Sequence, residues 1–268
     1  MKERCKVVLL TGGSSGIGAA TADLLADKGI KVYAASRSGK APVSDNIVPI
    51  VMDVNDDALV KKRIAEIFEK EGRLDAVVCN AGNGIAGAVE DTTIEEARFQ
   101  FETNFYGALR VIDAALPYFR QQGFGRIITV TSVAGLIPIP FQAFYSSAKA
   151  ALLMLTKALS LEVKPFGIQC CSILPGDTKT GFTSARKYVA GADKGAYTGM
   201  MRRSTAKMEI DEQNGMPPRR IAKDIWKQLK ARRMRITVTP RLDYKAIELM
   251  SRFLPERFVM FVVGKLYC

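Results

Sequence analysis

Thr11-Gly12-Gly13-Ser14-Ser15-Gly16-Ile17-Gly18 follows an apolar run over residues 6–10 and precedes a helical pattern that continues through residue 28. A buried strand, a glycine turn and a helix therefore come in that order. Glycines at 12, 16 and 18 let the backbone turn tightly and approach a pyrophosphate, whose charge is favoured by the free N–H groups and dipole of a helix N-terminus. The spacing differs from G-x-G-x-x-G, and no Lys follows the last glycine as a triphosphate-binding loop would require.

Working outward, residues 31–35, 47–52, 74–79, 125–131, 169–174 and 234–239 read as further strands. Helical patterns occupy residues 56–71, 93–121, 143–163 and 217–232. Residues 74–79 are apolar apart from Asp75, as suits a parallel strand covered on both faces. Ligands of open α/β sheets sit at the carboxyl ends of strands. Those ends carry Ser36-Arg37, Asp53-Val54, Asn80-Ala81-Gly82 and Ser132.

In the helix over 143–163, Tyr145 and Lys149 are four residues apart and share a face. A cation held against a phenol stabilises the phenolate and lowers the tyrosine pKa from ~10, which would make the pair a proton-transfer device. The chain has no histidine. Histidine triads, bases and metal sites are thereby excluded, and another residue must move any proton.

The glycine turn, Asn80-Ala81-Gly82, Ser132 thirteen residues before Tyr145, and Tyr145 with Lys149 resemble, in order and spacing, the motifs of the classical short-chain dehydrogenases/reductases. The resemblance runs over nearly the whole chain, strongly from residue 6 to about 239 and more loosely beyond. It implies a doubly wound Rossmann fold with a seven-stranded parallel sheet and helices on both faces. It also implies hydride transfer between a nicotinamide cofactor and a ketone or secondary alcohol. Tyr145 would be the proton donor and Ser132 the carbonyl polariser. Lys149 would lower the Tyr145 pKa and hold the nicotinamide ribose, and Asn104, in Asn104-Phe105-Tyr106-Gly107, would hold a relay water.

The same resemblance assigns Gly12, Ser14, Ser15, Gly16, Ile17 and Gly18 to the cofactor phosphates, Asp53 and Val54 to the adenine, and Asn80, Ala81 and Gly82 to the nicotinamide ribose. Pro175, Gly176, Thr178 and Thr180 would meet the nicotinamide amide. The family commonly has Val or Ile where this chain has Thr178, so that side chain's role stays open. At the second strand end a 2′-hydroxyl ribose would call for Asp or Glu, and the chain has Ser36 and Arg37 instead. A guanidinium fork suits a phosphate, so NADP(H) is expected over NAD(H).

The net charge of +12 raises the question of nucleic acid or anionic membrane, and eight of those charges are the excess of eleven Lys/Arg over three Asp/Glu in residues 219–252. No interleaved aromatic platform accompanies them, and no nucleic-acid partner is expected. Five cysteines without C-x-x-C spacing read as reduced, buried thiols rather than a disulfide framework or zinc site, and no metal is expected. No leader pattern opens the chain, so a cytoplasmic protein is expected.

One domain over 1–268 is expected, with residues 183–215 as a substrate lid and 240–268 as an apolar and basic extension. Met200, Met201 and Met208 in the excursion either adapt to a bulky ligand or fill core gaps. The run 258–263 is too short to span a bilayer, which takes ~20 residues. The extension packs on the domain core, forms a subunit interface or rests on anionic membrane, and the first two together are expected, with a homodimer or homotetramer by family habit. Residues 212–218, Arg232-Arg233 and 254–258 resemble the 17β-hydroxysteroid and retinol dehydrogenase-like branch. With an apolar wall from Ile139, Phe141 and Phe144, the expected substrate is a steroid ketone or alcohol. A fatty-acyl, retinoid or other lipid carbonyl is the alternative, and a non-catalytic NADP(H)-binding regulator a remote one.

Overall fold

The computed structural model describes residues 5–267. The chain runs through β1 (Val7–Thr11), α1 (Gly16–Ala26), β2 (Lys31–Ser36), β3 (Ile47–Val51), α2 (Asp57–Glu71), β4 (Ala76–Cys79) and β5 (Ile85–Ala86). It continues through α3 (Ile94–Phe101), α4 (Gly107–Gln122), β6 (Gly125–Val130), α5 (Ala143–Glu162), β7 (Ile168–Ile173), α6 (Phe182–Ala185) and β8 (Lys187–Tyr188). The last elements are α7 (Thr198–Gln213), α8 (Pro218–Lys230), β9 (Thr237–Val238), α9 (Leu242–Phe253) and α10 (Glu256–Tyr267). Strands β3-β2-β1-β4-β6-β7-β9 form one sheet, every neighbouring pair parallel, and β5 pairs with β8 in a separate ribbon.

Alternation along each strand divides the core in two. Val7 and Leu9 of β1 face α2, α4 and α5, whereas Val8 and Leu10 face α1 and α8. In β1, β4 and β6 neither face meets water, which accounts for their apolar runs, whereas the edge strand β3 leaves Val51 exposed. A hydroxyl cluster fastens α5 to the sheet: Thr129 bonds Thr156 at 2.9 Å and Ser172 at 3.0 Å. The Tyr145-bearing helix is thereby held in one rotation against β6 and β7.

Two expected elements come out differently. The pattern over 93–121 is broken between α3 and α4 by a π turn, Glu102–Tyr106. The side chain of Asn104 is the physical reason: its Nδ2 donates to the Gln100 carbonyl at 3.0 Å, the acceptor that its own backbone N–H would use in an α-helix. The seventh strand is shorter than the expected 234–239 because Gln169 and Gln228 side chains take the N–H groups of Met234 and Arg235 out of the ladder. Cys79, Cys170 and Cys171 are buried free thiols, Cys5 is half-buried, and Cys268 lies outside the described residues.

Candidate active site

The carboxyl ends of β1, β2, β3, β4, β6 and β7 open into one cavity of about 610 Å³. At the glycine turn, Gly12 and Gly16 adopt φ of +68° and +53°, a region disfavoured for side-chain-bearing residues. A Cβ on Gly18 would stand 2.0 Å from the Gly12 carbonyl oxygen. Gly18 thus works by letting α1 close on its own loop, and it does not line the cavity. Ser15 precedes α1 without a side-chain cap, which leaves the first-turn N–H groups directed at the cavity floor.

Asn80 ties β4 to this turn. Its Nδ2 donates to the Thr11 and Gly12 carbonyls at 3.0 and 3.3 Å, and Thr11 Oγ1 accepts from the N–H groups of Asn80 and Ala81 at 3.0 Å each. Thr180 packs over Gly16 from the loop after β7. Thr178 is buried, with its hydroxyl donating to the Gly176 carbonyl, so its side chain is spent on its own loop. At the far end Arg37 lines the cavity, exposed, with no hydrogen bond or ion pair among the described residues. Ser36 bonds the Lys40 carbonyl at 3.1 Å, and Asp53 accepts from the Asn55 N–H at 3.0 Å.

Ser132, Tyr145 and Lys149 meet at the other end. Ser132 caps the short turn that follows β6 by accepting from the Ala134 N–H at 3.1 Å and donates to the Pro175 carbonyl at 3.4 Å, beside Tyr145 on the same cavity wall. Lys149 is buried, donates to the Val130 carbonyl at 3.1 Å and lies 5.6 Å from the centre of the Tyr145 ring. Burial lowers the Lys149 ammonium to about 8. Burial likewise pushes the Tyr145 phenol up to about 12, against the pull of Ser132 and Arg186 and with the Glu212 carboxylate adding to the rise. The expected lowering of Tyr145 by Lys149 is therefore not present in this arrangement. The ammonium bonds a carbonyl beside the ring instead of the phenolic oxygen, and desolvation dominates.

Asn104 stands behind Gly82 rather than on the cavity wall. Its Nδ2 is saturated by Asn83 and Gln100, while Oδ1 is buried with no partner among the described residues. A Cβ on Gly82 would lie 2.8 Å from that Oδ1 and 3.5 Å from Lys149 Nζ. The bare glycine leaves room between an orphaned acceptor and a buried cation, a setting suited to an ordered water.

The remaining wall is apolar and comes from remote segments: Ile137, Ile139, Phe182, Met208, Ile247 and Val263. Phe141 and Phe144, expected here, pack instead with Ile85, Val189, Ala192 and Met201 in a satellite core. The methionines divide accordingly, Met208 lining the cavity and Met201 filling that core. The extension closes the end of the cavity: Tyr244 of α9 donates to Asp177 Oδ2 at 2.5 Å and accepts from the Asp177 N–H at 3.0 Å. Its ring occupies the space that a side chain on Gly176 would need. Glu212 of α7 is held by Thr183 and Arg186, and burial first raises the carboxyls of both Glu212 and Asp177. Sequence reading missed Asn83, Gln100, Asp177, Glu212 and Tyr244. Only Asp177, inside the Pro-Gly-Asp-Thr loop, had a local signal.

The seven-stranded parallel sheet with helices on both faces is a Rossmann-type fold, and its strand ends bring the glycine turn and the Ser132-Tyr145-Lys149 cluster into one cavity. The family profile described as short chain dehydrogenase matches residues 6–188, and the chain belongs to that family. It is similar to the 3-ketodihydrosphingosine reductase of Bacteroides thetaiotaomicron, with 38% identity over 224 residues covering 83% of this chain and 82% of that protein. Among solved structures it resembles a short-chain dehydrogenase of Streptomyces avermitilis, with a TM-score of 0.84, 28% identity, and coverage of 99% of this chain and 97% of that one. It also resembles ElxO with NADP bound, with a TM-score of 0.73, 26% identity, and coverage of 90% and 99% respectively.

Proposed function

We propose that the protein is an NADPH-dependent reductase of a ketone carried on a long apolar chain. The observation that carries this reading is the placement of Ser132 and Tyr145 between a phosphate-type cradle and an apolar wall, all within one cavity. The residues fit a dinucleotide: Gly12, Ser14, Ser15, Gly16 and Ile17 would hold its phosphates, Asp53 and Val54 its adenine, and Asn80, Ala81, Gly82 and Lys149 its nicotinamide ribose. Pro175, Gly176, Thr178 and Thr180 would face the amide, and Gly18 would act through packing. Ser36 and Arg37 would receive a 2′-phosphate, since β2 ends without a carboxylate.

When bound, the cofactor supplies the hydride to the carbonyl carbon. Tyr145 Oη gives its proton to the carbonyl oxygen, converting ketone to secondary alcohol. Ser132 Oγ donates a hydrogen bond to that oxygen as negative charge develops on it. A phenol held near 12 favours the protonated, donating form at neutral pH, which suits reduction. Lys149 and the water site beside Asn104 Oδ1 return a proton to Tyr145.

For the substrate, the 38% identical relative is named for reduction of a keto group on a long-chain base. That similarity supports the lipid-carbonyl alternative over the steroid expected from the sequence, which gains no support from the relatives. The test is NADPH oxidation with 3-ketodihydrosphingosine, a long-chain 3-ketoacyl thioester and a keto steroid, each repeated with NADH. Turnover of the long-chain ketones with NADPH is expected. Turnover of the steroid alone would overturn the substrate reading, and faster turnover with NADH would overturn the Arg37 reading.

A further inference from the structure

Helices α9 and α10 each present two faces. The inner ones line the cavity through Tyr244, Ile247, Val259 and Val263. The outer ones carry Leu249, Phe253, Phe258 and Phe261, which are 59%, 77%, 48% and 61% exposed. Among the described residues, nine of the twenty-two exposed large hydrophobic side chains fall between Leu242 and Leu266. Scattered apolar side chains are ordinary on a surface, but such a concentration marks a face that meets something apolar.

Charged residues stand among them: Asp243 pairs with Arg241, Glu256 is an exposed acid, and the cations outnumber it. Lys245, Arg257 and Lys265 are exposed, and none of the three takes part in an ion pair among the described residues. The helices are twelve residues each, about 18 Å long. No helix of the described residues is long and apolar enough to cross a membrane. Short amphipathic helices that mix aromatic and basic residues have the dimensions and chemistry to lie in a headgroup layer. A second copy of this chain fits the face less well, because a two-fold contact would bring together two faces that each carry Lys245, Arg257 and Lys265 against the exposed acid Glu256. An anionic bilayer complements both components, and the chain's +12 charge adds long-range attraction.

We propose that the outer face of the α9–α10 hairpin docks on an anionic lipid bilayer and that the cavity behind it takes its ketone from that bilayer. The second clause rests on the lipid-ketone reading above. One pair of helices would then be both the wall of the active site and its contact with the membrane, so that the substrate passes from lipid to cavity without crossing water.

The test compares the full-length protein with Phe253→Glu/Phe261→Glu and with Lys245→Gln/Arg257→Gln, none of which line the cavity. Binding is read by flotation with vesicles of equimolar phosphatidylglycerol and phosphatidylcholine, and with vesicles of phosphatidylcholine alone. The wild type should bind the anionic vesicles; the Glu pair should weaken this roughly ten-fold or more, and the Gln pair about five-fold per charge removed. Activity on a short water-soluble ketone should be the same in all three proteins, while activity on long-chain ketone presented in vesicles should fall with binding. Failure of wild-type protein to bind anionic vesicles overturns the proposal, as does a dimer that the Glu pair dissociates. Vesicle binding without reduction of any lipid ketone would leave the docking face standing and remove the substrate reading instead. Equal activity of the Glu pair on vesicle-borne ketone would remove the transfer step.

Discussion

The two ends of the cavity are built in opposite ways. Around the glycine turn, Arg37 and Asn80 sit at the ends of parallel strands beside β1, so their positions follow from the register of β1, β2 and β4. Around Tyr145 the wall comes from α6, α7, α9 and α10, which are far apart in the chain and meet through side chains such as Tyr244 and Asp177. Strand ends make a rigid, locally encoded floor, and packed helices make a roof that can differ in shape without disturbing it. On the proposed reading, chemistry and cofactor choice would belong to the floor and the strand-supported helix α5, and substrate choice to the roof.

The sharpest division between the two ends is expected from Tyr145→Phe. The ring keeps its place 5.7 Å from Phe182, so NADPH binding by fluorescence should stay near wild type. Loss of the donor should cost about 10²–10⁴-fold in kcat. Loss of cofactor binding as well would mean that the two ends are not separable. At the floor, Arg37→Ala should weaken NADPH binding about ten- to a hundred-fold while leaving NADH binding unchanged, the scale of charge-assisted hydrogen bonds to a phosphate. Equal losses for both cofactors would show that Arg37 supports the turn instead of reading the 2′-position.

Lys149 probes the seam between the ends. Its pKa falls from the ordinary lysine value of 10.5 to about 8 through burial, so between these pH values the unfolded chain holds a proton that the folded one has lost. Wild-type stability should therefore rise with pH across that window, and the burial penalty should be felt in full below about 8. Lys149→Met should be more stable than wild type at neutral pH by roughly 1–3 kcal/mol, inactive, and no longer more stable above the window. Denaturant melts at several pH values would measure this. A less stable Met variant would show that the Val130 hydrogen bond outweighs desolvation.

The smallest effect is expected at the roof. Tyr244→Phe removes both bonds to Asp177 and should cost about 1 kcal/mol, read as a several-fold rise in KM for a long-chain ketone with NADPH affinity unchanged. A matching loss of NADPH affinity would make α9 part of the floor.

How far each end was legible in the sequence follows from the same division. Gly12, Asn80, Ser132 and Tyr145 could be located because a strand end, a short motif and a fixed spacing are all local in the chain. Tyr244, Glu212 and the true wall residues could not, since nothing within a few positions of Tyr244 says that its ring will cover Gly176, 68 residues earlier. Phe141 and Phe144 misled for a related reason: proximity to Tyr145 in sequence suggested the wall, whereas α5 turns Phe144 toward β5 and the satellite core. The break at Asn104 escaped because apolar periodicity records which face is buried and not which backbone carbonyl a side chain will take.

That break has a consequence for editing the chain. The π turn holds one residue more than an α-helix would need, so deleting a residue between Glu102 and Tyr106 would let α3 and α4 fuse into one regular rod. Everything on the α3 side would then swing about 100° around the axis. Gln100 would leave the Ile85 N–H and the Asn83 carbonyl that it bridges, and the ribbon of β5 and β8 would lose its anchor. A better helix would make a worse protein: the surplus residue is a phase adjuster that lets one continuous rod serve two partners facing different ways.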